Sequence, residues 1–153
     1  MRKIAFALLA GAVIGTPAPA AADISSFAFV QDDGSLVVDG RLIRLYGIYI
    51  PPTERTCYTF IRPTPCGTRA ALALDFKISG DFVHCMERAV NADGSITASC
   101  KTGDEDLSEW MLQRGWALAL PDAPFHYTAM ERIARAKGIG VWGIPLDVPA
   151  RPH

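Results

Sequence analysis

Turn dipeptides cut the first third of this chain into short apolar runs, and that punctuation restricts the fold more than any other feature. Phe27 to Gln31 is apolar and aromatic, and Asp32-Asp33-Gly34-Ser35 after it is a turn. Leu36-Val37-Val38 is a strand of three residues, closed by Asp39-Gly40, a hairpin dipeptide of the type I′ kind. Arg41 to Ile50 then alternates. Leu42, Arg44 and Tyr46 take one face, and Ile43, Leu45 and Gly47 the other. Pro51-Pro52 stops the run.

A loop rich in Thr, Pro and Arg is expected from Thr53 to Pro65, carrying Cys57 and, at its end, Cys66. Gly67 to Ile78 is rich in Ala and Leu and reads as a helix ended by Ser79-Gly80. Phe82 to Ala89 and Ile96 to Lys101 flank Asn91-Ala92-Asp93-Gly94, which predicts a second hairpin. Asp104 or Asp106 is placed to cap a helix reaching Gln113, with Gly115 ending it. Trp116 to Leu120 is a short apolar run. Tyr127 to Ala136 is a helix with Tyr127, Met130, Ile133 and Ala134 on one stripe and Glu131, Arg132, Arg135 and Lys137 elsewhere. Three strands, a helix, two strands and two helices predict a mainly β, α+β domain: a five-stranded Greek-key barrel of the OB type with about three helices.

Composition supports one compact domain. Of 153 residues, 50% are hydrophobic and 20% charged, enough to bury a core. The formal net charge of −1 disfavours a polyanion binder driven by bulk charge, so nucleic acid is not an expected partner. Residues 1–22 have the features of a signal peptide. Arg2 and Lys3 open it, Ile4 to Ile14 is apolar but short, and Ala20-Ala21-Ala22 offers a small-residue cleavage site. The domain is then expected over 23–143, with a Pro-rich tail at 144–153, in a protein that is periplasmic or secreted. An oxidising compartment lets the four cysteines pair. Three connectivities exist in principle. If Asn91 to Gly94 is a four-residue hairpin loop, Cys85 lies directly opposite Cys100, which leaves Cys57 with Cys66.

The run Asp32-Asp33-Gly34-Ser35-Leu36-Val37-Val38-Asp39-Gly40-Arg41-Leu42-Ile43-Arg44-Leu45-Tyr46-Gly47-Ile48 resembles the opening of the staphylococcal nuclease (thermonuclease) family. Gly67 with Ala70-Ala71, Asp106-Leu107, Arg114-Gly115-Trp116-Ala117, and Tyr127, Glu131, Ala134-Arg135, Gly138 and Val141-Trp142 extend the likeness over roughly residues 27–143. The resemblance implies an OB barrel with three helices and calcium-dependent phosphodiester hydrolysis. That chemistry needs oxygen ligands for the cation, a carboxylate that activates water, and two guanidinium groups on the phosphate.

Four of the five charged positions the resemblance points to hold other residues here. Gly34 stands for the first calcium ligand, Tyr49 for the second, Pro52 for the general base and Ser95 for the second arginine. Arg44 remains at the place of the first arginine. Losing one transition-state group of this kind costs ~3–4 kcal/mol of barrier, so hydrolysis is not expected. No calcium, other metal or cofactor is expected either. Asp32 and Asp33 could supply a carboxylate and Glu54 could stand in for the base, but Asp32-Asp33-Gly34 is read first as a solvated turn. His84, His126 and His153 make no zinc spacing.

Arg44, Tyr46 and Tyr49 are the candidate binding residues, the two tyrosines flanking the former cleft. Arg44 is nonetheless more simply read as paired with a nearby carboxylate. Arg88 lies near the lost second arginine. Trp110, Trp116 and Trp142 are expected in the core. The chain thus reads as an exported, catalytically inactive accessory or binding protein acting on a periplasmic partner or an acidic polysaccharide. It resembles nuclease-like exported proteins associated with acidic exopolysaccharide (succinoglycan) biosynthesis. The alternative is a residual or altered calcium-dependent phosphodiesterase.

Overall fold

The structure is a computed structural model that describes residues 22–52, 54–58 and 63–143, without the side chains of 54–58 and 63–67. The expected signal peptide, apart from Ala22, and the tail at 144–153 lie outside the described residues.

Ten strands and three helices follow one another. They are β1 (Asp23–Val30), β2 (Leu36–Val38), β3 (Arg41–Leu45), β4 (Ile48–Tyr49), β5 (Glu54–Tyr58), β6 (Pro63–Thr68), α1 (Arg69–Ile78), β7 (Phe82–Val90), β8 (Ile96–Thr102), β9 (Glu105–Asp106), α2 (Leu107–Gln113), β10 (Leu118–Ala119) and α3 (Phe125–Lys137). A 3₁₀ turn at Gly140–Gly143 follows. Five of the strands close a barrel. β1 pairs antiparallel with β2 and with β7, β2 with β3, and β7 with β8. The parallel pair β3–β8, with Ile43 opposite Ile96, seals it. Closure removes the exposed edges that strands this short would otherwise present. The result is the expected OB-like α+β fold.

The barrel interior follows the alternation. Leu36, Val38, Ile43, Val83, Cys85, Ala98 and Cys100 are fully buried, and Leu74 and Ile78 of α1 and Leu107, Met111 and Leu112 of α2 plug its ends. Each large aliphatic side chain removed from water in this way stabilises by ~1.5–3 kcal/mol. Asp39 and Gly40 both have positive φ, 50° and 71°, as a type I′ turn requires. Thr68 caps α1, its Oγ1 accepting the Ala71 amide at 3.0 Å, so the helix begins two residues after the expected Gly67. Asp106 caps α2 in the same way through the Glu109 amide.

Four expectations change. First, the strand expected over 41–50 breaks at Gly47, whose φ is +73°. A Cβ there would sit 3.0 Å from the Tyr127 ring. β4 beyond the break leaves the barrel and pairs with β10, Tyr49 opposite Leu118. Second, the expected loop from Thr53 contains a ribbon. Among the described residues β5 and β6 form a two-stranded sheet of their own, an arrangement of edge strands that tolerates proline. The expected Cys57–Cys66 bridge falls on side chains outside the described residues.

Third, the buried stripe of α3 is Tyr127, Glu131 and Ala134, while Ile133 is 55% exposed. Glu131 turns inward because β10 presents it with a backbone donor: the Ala119 amide donates to Glu131 Oε2 at 2.7 Å. Fourth, Trp110 and Trp116 pack against the core from its rim rather than within it, and Trp142 is half-buried beneath Arg135.

Cys85 and Cys100 form a disulfide across β7 and β8, their Cα atoms 4.0 Å apart. The expected pairing is correct, although the loop is not the one assumed. Near the turn the register is Val90 with Ile96 and Ala89 with Thr97. A β-bulge at Arg88 then absorbs one residue, after which Glu87 faces Ala98 and Cys85 faces Cys100.

Candidate functional site

Two loops with the same short sequence, Asp-Gly-Ser, shape the first cavity. In the loop from Gln31 to Ser35, the Gln31 amide donates to the Ser35 carbonyl at 2.8 Å and the Gly34 amide to the Gln31 carbonyl at 2.9 Å. The Asn91–Ser95 loop repeats both bonds, at 2.8 and 3.0 Å. In each loop the aspartate Oδ1 accepts the serine amide and hydroxyl: Asp33 from Ser35 at 2.9 and 2.6 Å, and Asp93 from Ser95 at 3.0 and 2.6 Å. The parallel register of β3 on β8 sets Arg44 opposite Thr97, beside the second loop.

Arg44 is held there. Its Nη2 lies 3.1 Å from Asp93 Oδ2, and its Nε donates to Ser95 Oγ at 3.2 Å. Ser95 is buried and also accepts from Asn91 Nδ2 at 2.9 Å. The Ser95 hydroxyl and then its amide hold the Asp93 carboxyl below the usual carboxylate range against the opposing effect of burial, and Arg44 adds to them to a lesser degree. Burial pushes Asp33 up, but the two Ser35 hydrogen bonds and the charge of Arg44 outweigh it and leave Asp33 lowered too. Arg44 is therefore neutralised by the protein itself. The pair is half-exposed, so its meaning is occupancy of the guanidinium rather than stability.

The cavity beside it measures about 170 Å³, with Asp33, Gly34, Arg44, Ile48, Tyr49 and Ile50 in its wall. Gly34, Arg44 and Tyr49 thus line one cavity, while Pro52 is exposed and does not line it. Gly34 has φ +79°, and a Cβ on it would lie 2.5 Å from Ile50 Cδ1. An isoleucine methyl fills the space a side chain at that position would enter. The cavity's carboxylate is Asp33, already committed to Ser35, and a calcium ion takes six to eight oxygens. These residues do not fit the ion the resemblance implies. Among the described residues no three His, Cys, Asp or Glu side chains converge on a metal-sized point. The Glu54 side chain is outside the described residues.

Tyr46 is not in this cavity. It lines a second and larger groove, about 490 Å³, between the outer faces of β7 and β8 and the helices α2 and α3. Arg88 stacks on Tyr46, 5.5 Å from the ring centroid, and donates from Nε to Ser99 Oγ at 3.0 Å. Its bulge aims it into this groove, so Arg88 does not line the Arg44 cavity. Lys101 and His84 face each other across the strands, and His84 Nδ1 lies 2.8 Å from Ser25 Oγ. On the opposite wall His126 Nε2 is 3.2 Å from Glu109 Oε1. Burial, then the Asp106 carboxylate, raises the Tyr127 phenol to about 12.

Sequence reading gave Arg44 a nearby carboxylate, as found, without naming Asp93, and it missed the groove. The recurrence of Asp-Gly-Ser at 33–35 and 93–95 was a legible signal for Asp93. The groove had none, because a bulge and two helices assemble it. Set beside protein-family models and curated proteins, the chain matches none.

Proposed function

We propose that this is an exported, non-hydrolytic binding protein, a degenerate relative of the thermonuclease-like family that works on acidic extracellular polysaccharide. The observation that carries the reading is the state of Arg44. Asp93 and Ser95 occupy the one guanidinium left from the implied phosphate site, and Ile50 fills the space above Gly34. A base, a cation and a second arginine together would have to supply most of the barrier reduction for hydrolysis, and Pro52, Gly34, Tyr49 and Ser95 offer none of these. The signal-peptide pattern of residues 1–22 and the Cys85–Cys100 disulfide support an oxidising, extracytoplasmic setting.

Two assays test the reading. Incubation of plasmid with calcium, and separately with EDTA, is expected to leave the DNA intact in both. Affinity electrophoresis through a gel containing acidic exopolysaccharide is expected to retard the protein. Cleavage that EDTA and Arg44→Ala both abolish would restore a phosphodiesterase.

A further inference from the structure

The ligand site is the groove beside Tyr46, not the nuclease-like cavity. We infer that this groove takes a carboxylated saccharide, its carboxylate on Arg88 and Lys101. The inference rests on the binding-protein reading above and names the site and the ligand chemistry within it.

The groove's cations and its acids differ in how they are engaged. The Lys101 ammonium has no hydrogen bond or ion pair among the described residues. Arg88 spends Nε on a neutral hydroxyl, and among the described residues its remaining donors meet no carboxylate. The bulge and the Tyr46 ring fix its direction, so little side-chain freedom is lost when it binds.

The groove's acids are engaged. Asp106, paired with Lys101 across β8 and β9, accepts the Glu109 amide at 3.1 Å as the cap of α2, and Glu109 lies against His126. Asp23 of β1 lines the groove as well. Two cations without a carboxylate partner among the described residues therefore share the groove with carboxylate acceptors. A carboxylate fits the first, and hydroxyl donors fit the second. A compact dianion would gain from the cations but face repulsion from Asp23, Asp106 and Glu109. A monoanion rich in hydroxyls meets both kinds of group, which is the chemistry of a sugar acid. The volume of about 490 Å³ lies within the range of small-ligand sites. Arg44 differs on each point: it has its own carboxylate and a cavity about a third as large.

Titration calorimetry on the full chain tests this, with a galacturonic acid trimer as probe and its methyl ester and inorganic phosphate as comparisons. The free acid is expected to bind, the ester, which keeps the hydroxyls and loses the charge, to bind at least tenfold more weakly, and phosphate to compete poorly. Arg88→Gln and Lys101→Gln are each expected to weaken the acid about tenfold, the usual scale for a charged hydrogen bond. Arg41→Gln, an exposed cation on β3, should change nothing. Lys101→Gln removes no hydrogen bond or ion pair among the described residues, so it reads binding even if Arg88→Gln perturbs the fold, which circular dichroism would reveal.

No heat from the acid at millimolar concentration, equal affinity for the ester, tighter binding of phosphate, or indifference to both substitutions overturns the groove. Any of these with the plasmid still intact leaves the non-hydrolytic reading standing. Cleavage of the plasmid sinks that reading whatever the groove binds.

Discussion

Placing a carboxylate at position 34 would not build a calcium site, and the reason can be measured as a coupling energy. Gly34→Asp meets two costs. The backbone sits at φ +79°, where a side chain costs ~1–2 kcal/mol, with aspartate at the low end. Its Cβ would also lie 2.5 Å from Ile50 Cδ1 and 3.2 Å from Cγ2, an overpacking of the kind that costs ~1–3 kcal/mol, reduced if the isoleucine turns away. The single variant should therefore lose ~2–4 kcal/mol in urea unfolding, with its m-value unchanged. Ile50→Ala removes the colliding methyl and, since Ile50 packs against the core, costs ~1–3 kcal/mol by itself. The double variant should recover the steric part, losing ~1–2 kcal/mol less than the sum of the singles. Additivity within ~0.5 kcal/mol would refute the collision. Calorimetry with calcium should show no binding by either variant, because only Asp33 and the new carboxylate would be at hand.

Three further outcomes are expected. Glu131→Ala leaves the buried Ala119 amide without its acceptor and should cost ~2–4 kcal/mol in urea unfolding, whereas Glu131→Gln, which keeps an oxygen, should cost less than half of that; equal losses would contradict the role assigned to this bond. Replacing Cys85 and Cys100 together by serine frees a loop of sequence separation 15 in the unfolded chain and should cost ~3 kcal/mol, checked by comparing midpoints with and without reductant. Stability should also follow pH at both ends. Asp33 and Asp93, lowered in the folded state, contribute above the unfolded value of 3.8, and that contribution is lost as pH falls through their folded values. Tyr127, raised to about 12 from 10.0, favours the folded state below pH 10, an advantage lost as pH rises from 10 to 12. Asp93→Asn should flatten the acid limb and Tyr127→Phe the alkaline one; unchanged limbs would refute the assignments.

Most of the barrel was legible in local order. Turns set by backbone conformation, such as Asp39-Gly40, and helix stops at Ser79-Gly80 and Gly115 are properties of a few neighbouring residues, and these appear where expected. Alternation likewise marks which residues of β2 and β3 face inward, because a strand repeats every two residues. The pairing of Cys85 with Cys100 was reachable from residue counting, but through a loop length that a bulge at Arg88 corrected. That the positions the resemblance points to hold Gly34, Tyr49, Pro52 and Ser95 was readable letter by letter.

Long-range contact decided the rest. Glu131 looks like a surface residue within its own helix, and it lies buried where β10 brings the Ala119 amide to it. Gly47 breaks a strand that alternation would have continued, because Tyr127, eighty residues away in sequence, occupies the space beside it. Arg44 becomes a neutralised group because closing the barrel sets β3 parallel to β8 and brings Asp93 to it. Arg88 and Lys101 line one groove with Glu109 for a similar reason: strand pairing and helix packing bring distant residues together, and no local pattern in the chain encodes where those elements meet.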